Sequence, residues 1–89
     1  MSDTLIAPPP EVPLAAPRLS SSREHLVRAS AYLWRVQDPS GRALGHLRVL
    51  ADPLGIRYRA ERLHLPTKRF RVVGDFWRAD DAVAALRNG

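Results

Sequence analysis

Ile56-Arg57-Tyr58-Arg59-Ala60 alternates apolar residues with arginines, and Arg69-Phe70-Arg71-Val72 repeats the pattern further along. In a β-strand successive side chains point to opposite faces, so each run reads as apolar on one side and guanidinium-rich on the other. A sheet built from such strands has one face for a core and one that attracts anions.

The surrounding segments read as a meander. Asp38-Pro39-Ser40-Gly41, Asp52-Pro53-Leu54-Gly55 and Pro66-Thr67-Lys68 carry turn chemistry. They bound strands over about 30–37, 42–51, 56–63 and 69–73. The alternation slips near Glu61–Leu65, where Leu63 and Leu65 fall on the arginine side, as a bulge or a strand end would produce. Residues 22–37 leave two readings open. Ser21-Ser22-Arg23-Glu24 has capping-box spacing for a short helix over 22–28, followed by a strand. Leu26, Ala29, Leu33 and Val36 instead keep helical spacing, which would make one helix. The aromatic and β-branched content of 32–36 favours the strand.

At the C-terminus, Asp80 and Asp81 suit the positive end of a helix dipole and Arg87 the negative end. Ala82, Val83, Ala85 and Leu86 form an apolar stripe at helical spacing. The expected fold is therefore α+β: a small antiparallel sheet of three to four strands with one C-terminal helix on its apolar face. Residues 1–21, with Pro8, Pro9, Pro10, Pro13 and Pro17, are expected to form a flexible tail of polyproline character, and 22–89 a single domain. A proline-rich docking motif is the alternative reading of the tail.

Extending the alternation puts Tyr32, Trp34, Val36, Leu47, Val49, Ile56, Tyr58, Ala60, Phe70 and Val72 in the core. The opposite face receives Leu33, Arg35, His46, Arg48, Arg57, Arg59, Arg69 and Arg71, with Glu61 as the one local counter-charge. Six arginines on one sheet face repel unless a polyanion offsets them.

The 89 residues hold 14 Lys+Arg and 9 Asp+Glu, a net charge of +5. The basic and acidic residues of 1–28 cancel, so the whole excess falls in 29–89. That balance favours nucleic acid, an anionic membrane surface or an acidic protein as partner. All the cations but Lys68 are arginines, whose planar fork suits phosphates and guanine edges.

Other chemistry finds little support. There is no cysteine, hence no thiolate catalysis or cysteine-based zinc site. His25, His46 and His64 lie far apart without carboxylates at ligand spacing, so no metal and no cofactor are expected. Asp80 and Asp81 are adjacent on a helix and point in different directions. No nucleophile, base and orienting group can be assembled, and the chain is not expected to be an enzyme. No signal peptide or membrane span is apparent, and the chain is read as cytoplasmic.

Gly74-Asp75-Phe76, followed by Asp81-Ala82 and Ala85-Leu86, resembles the ending of AP2-like and integrase arm-type DNA-binding domains, and Tyr58-x-Ala60 resembles their preceding strand. The likeness covers about residues 42–88, with Arg78 where such domains often place a Thr or Ser cap. It implies a three-stranded sheet on one C-terminal helix, with the open face in the DNA major groove. Matching strand positions would make Arg48, Arg57, Arg59 and Arg71 the readers.

The expected function is thus a small DNA-binding protein with a regulatory or recombination-accessory role. It would contact duplex DNA, favoured over RNA, through Arg35, Arg48, Arg57, Arg59, Arg69 and Arg71. His46, Lys68 and Trp77 are additional candidate contacts. Trp77 reads either as a cover for the helix start, the preferred reading, or as an exposed stacking group. The rival function is a protein-interaction adaptor that meets an acidic partner through the same face or an edge strand.

Overall fold

Turn chemistry places the strand connections where the sequence signals them. The Asp38 carboxylate accepts from Ser40 N at 2.9 Å and Arg42 N at 2.9 Å, and Gly41 turns the chain at φ 92°. Asp52 accepts from Leu54 N at 2.9 Å, closing a two-residue connection to Gly55. Lys68 takes φ 55° while its amide donates to Leu65 O. These turns organise a computed structural model that describes residues 14–88. Its order is β1 (His25–Ser30), β2 (Leu33–Gln37), β3 (Ala43–Asp52), β4 (Gly55–His64), β5 (Arg69–Phe76) and α1 (Ala79–Asn88). The strands form one antiparallel sheet in sequence order, with α1 packed against β3, β4 and β5.

The sheet has five strands rather than three or four, because the segment expected to open a helix at Ser22 leads into β1. The Ser and Glu of the capping-box spacing bond to α1 instead of to local amides. Asp80, in the first turn of α1, accepts from Ser20 N and Oγ at 2.9 and 2.8 Å, Ser21 N at 3.1 Å and Ser22 Oγ at 2.7 Å. At the other end of α1, Arg87 grips Glu24 through Nε and Nη2 at 2.9 and 3.1 Å. Of the expected flexible tail, residues 14–21 run over the helix side of the sheet, with Leu19 packed against the core. The prolines at 8, 9, 10 and 13 lie outside the described residues.

The core sits between α1 and the sheet. Val36, Leu47 and Ala60 are fully buried under Ala82, Val83 and Leu86. Small sheet residues let the helix approach: a Cβ on Gly45 would collide with Glu61 O and lie 3.0 Å from Leu86 Cδ2. Trp34 is 1% exposed, and the Arg28 guanidinium lies over its ring at 4.7 Å. Tyr32 and Ile56, expected in the core, are about half exposed at the end of the sheet away from the core cluster.

One irregularity changes the face assignment. Ala60 pairs with Gly74, but Glu61 pairs with Val72, so Val73 is an extra residue in β5. Beyond this bulge the phase of β5 inverts. Phe70 and Val72, expected in the core, lie on the open face and are 44% and 56% exposed. Arg69 and Arg71, expected on the open face, take the helix side by register, Arg71 opposite Arg62. The slip seen near Glu61–Leu65 is real, but the bulged strand is β5; β4 keeps its phase and Leu63 stays on the open face.

Two substitutions test this packing. Gly45→Ala should cost about 2 kcal/mol or more, because backbone must shift to admit the methyl group. Hydrogen bonds from Ser20–Ser22 hold the Asp80 carboxyl well below the usual aspartate range. Such a group contributes stability fully present above the unfolded value near 3.8 and lost as pH falls below it. Asp80→Asn is expected to lose about 2 kcal/mol at neutral pH and to flatten the acid limb of the stability profile. Chemical denaturation at several pH values checks both; an unchanged acid limb contradicts the role of Asp80.

Candidate functional site

The face away from α1 is built by alternation along β2–β5, and its charges are largely paired. Arg48 meets Glu61 through Nε at 3.0 Å and Nη2 at 3.3 Å. Arg59 meets Asp75 through Nε at 2.8 Å and Nη2 at 3.0 Å. Arg57 lies 3.6 Å from Asp52, with its guanidinium over the Trp77 ring at 4.2 Å. The expectation that Glu61 is the sole counter-charge is therefore corrected: Asp75 and Asp52 share the duty. With Arg69 and Arg71 turned away, four arginines rather than six remain on this face, and three of them are paired.

These pairs fix orientation more than they add stability, because the arginines are about one-third to two-fifths exposed and water screens them. Glu61 and Asp75 each hold their guanidinium by a two-point grip, whereas Asp52 meets Arg57 at a single longer contact. Arg59 hydrogen bonding keeps the Asp75 carboxyl below its ordinary range, and Asp75 in turn raises the Arg59 guanidinium. The Arg57 Nε atom is buried and has no hydrogen-bond partner among the described residues.

The uncompensated charge gathers elsewhere. The β2–β3 and β4–β5 connections lie at the same end of the antiparallel sheet. Arg35, Arg42, Arg62, Lys68, Arg69 and Arg71 all belong to that end, and none has an ion-pair partner among the described residues. Asp38 sits there too, kept ionised by hydrogen bonds from Ser40 and the Arg42 amide, and its single negative charge offsets one of these cations. Arg62 donates to the Ala85 and Leu86 carbonyls, covering the negative end of α1.

At this end the sheet opens. β3 and β4 pair only as far as His46 and Glu61; beyond that, β3 continues with β2 alone and β4 with β5 alone. The divergence leaves a cleft of about 500 Å³, bordered by Arg35, Arg42 and Arg62, with no acidic residue in its lining. On its open-face side the His46 and Phe70 rings stack with centroids 4.1 Å apart and planes 16° from parallel. Burial, with Arg35 and Arg48 nearby, lowers the His46 pKa despite the opposing pull of Glu61.

The nine anticipated residues thus separate into groups. Arg48, Arg57 and Arg59 form the paired middle of the open face. Arg35 and His46 stand beside the cleft, while Lys68, Arg69 and Arg71 border the same charged end from the turn and the helix side. Trp77 is 50% exposed, with the Arg57 guanidinium over its ring. Reading by alternation missed Arg42, Arg62, Phe70 and Asp75. Arg42 lies in a turn, where alternation says nothing; Arg62 falls on the core side of its strand; Phe70 needed the bulge, and Asp75 lay beyond the expected strand end near Val73.

Among the described residues no three His, Asp or Glu side chains form a group able to hold a metal. No helix among the described residues is long and apolar enough to cross a membrane. Comparison with family models, curated proteins and solved structures finds no match.

The stacked, desolvated imidazole gives a direct check. Its ring protons, followed by NMR against pH, should report a midpoint below the 6.5 of an ordinary histidine. A midpoint at or above 6.5 would contradict the placement of His46 between Arg35 and Arg48.

Proposed function

We propose that the protein binds nucleic acid through the open face of its sheet, with the phosphate backbone held at the end where β3 and β4 diverge. The observation that carries this reading is a cleft bordered by Arg35, Arg42 and Arg62 with no acidic residue in its lining, at the same end of the sheet as Lys68, Arg69 and Arg71, while the other arginines of the open face are held by carboxylates. A patch of one charge sign attracts a polyanion and positions its backbone. The paired arginines of the middle then present oriented donors rather than bulk charge. The resemblance to AP2-like domains is in keeping with the same reading, and a regulatory or recombination-accessory role is the biological setting it suggests.

A second reading rests on a different observation. Leu63, Phe70, Val72 and Trp77 are all exposed by two-fifths or more on the open face, as on a protein-binding surface. An adaptor of this kind would take an acidic partner, with the apolar groups along the β4–β5 side of the face and the cations at its charged end.

Salt dependence separates the two. With about four phosphate contacts, affinity should fall roughly 50- to 150-fold when salt is raised fourfold from a low starting value. Arg35→Ala combined with Arg42→Ala should reduce the slope of log affinity against log salt by about 1.5 to 2. Fluorescence anisotropy with labelled oligonucleotides measures both quantities. No binding at low salt rejects the proposal, and an unchanged slope in the double variant rejects the placement.

A further inference from the structure

Resting on the nucleic-acid reading above, we infer that the open face takes single-stranded nucleic acid in preference to a duplex. Two aromatic platforms stand on that face at opposite ends of β5. One is Phe70, stacked on His46 and 44% exposed; the other is Trp77, lying against the Arg57 guanidinium and 50% exposed. The strand between them carries the platforms about 20 Å apart, since the bulged residue adds little rise. That span suits a site at the lower end of the roughly 4–16 nucleotides held by a single-strand-binding sheet domain.

A duplex has little to gain here. Its bases are stacked inside, so exposed flat rings have no base face to meet, whereas an unstacked base covers such a ring whatever its identity. Between the platforms lie the Arg48–Glu61 and Arg59–Asp75 pairs, flanked by Leu63 and Val72. Two phosphate ridges pressed on that middle would meet carboxylates and apolar side chains. Splayed bases would instead find guanidinium planes, carboxylate acceptors and apolar contact. The cation excess lies at one end, where a single backbone can enter beside Arg35 and Arg42 and leave its bases to the face.

The shared chemistry is a flexible strand with exposed base faces, so DNA and RNA are the two sources to be distinguished. Anisotropy titrations would compare labelled oligo-deoxythymidine, oligo-uridine and a mixed-sequence duplex, each about 12 nucleotides or base pairs long, at one low salt concentration. At least one single strand is expected to bind tenfold or more tightly than the duplex, and which one binds tighter names the source. Adding it should quench Trp77 fluorescence relative to the signal of Trp34 in a Trp77→Phe control. Phe70→Ala and Trp77→Ala should each weaken single-strand binding about 5- to 150-fold and leave duplex binding nearly unchanged. Both side chains are half exposed, and circular dichroism confirms that the variants remain folded. Equal or tighter duplex binding, or full single-strand affinity in both variants, overturns the inference while the nucleic-acid reading stands. Failure of every oligonucleotide to bind overturns that reading, and the inference falls with it.

Discussion

A ten-residue helix rises about 15 Å, and five strands span about 19 Å from edge to edge, so α1 cannot cover the sheet it rests on. The rest of the structure answers that mismatch. α1 settles on β3, β4 and β5, where Gly45 leaves room for Leu86 to approach the backbone and the small Ala60 lies in the same buried cluster as Val83. The remaining apolar surface is covered by other means. Residues 14–20 run across it, and Arg28 closes over Trp34 while donating to the carbonyls of Leu14, Ser30 and Ala31. Asp80 and Arg87 hold this segment from the two ends of the helix. The N-terminal segment is thereby part of the same fold as the C-terminal helix.

The opposite face has no helix and must be satisfied in water. It does so with cross-strand ion pairs that link β3 to β4 and β4 to β5, each too exposed to contribute much stability. Their consequence is electrostatic. The middle of the face is close to neutral, and the net charge of the chain is displaced to the end with the β2–β3 and β4–β5 connections. A face that alternation alone makes uniformly cationic is instead zoned, with a charged entrance, a paired centre and two aromatic platforms. That zoning makes a followed strand a better match than a broad, uniformly charged duplex.

The bulge at Val73 is the pivot of the zoning. Without it, Phe70 and Val72 would enter the core side, and Arg69 and Arg71 would join Arg35, Arg48, Arg57 and Arg59 on the open face. With it, Phe70 reaches His46 across the opening of the sheet, and the two arginines pass to the side where Arg62 covers the helix end. One inserted residue therefore converts a repulsive row of cations into a stacking site. Gly74, placed immediately after the inserted residue, eases the local bend.

What could be read without a structure was what local chemistry governs. The three turns, the alternating strands β3 and β4, and α1 with acids at its start and Arg87 at its end are all encoded within a few residues of themselves. The net positive charge needs no fold at all. Ser21 and Glu24 misled for the same reason: their capping-box spacing is a local signal, but their partners, Asp80 and Arg87, lie about sixty residues away. The strand phase of β5, the counter-charges Asp75 and Asp52, and the meeting of His46 with Phe70 likewise depend on register. Register is set by pairing and by packing against α1, and a one-residue insertion reverses every side chain beyond it. The sequence alone thus determined the turns, β3, β4, α1 and the sign of the charge, whereas tertiary pairing decided that residues 25–30 form a strand and which face each side chain serves.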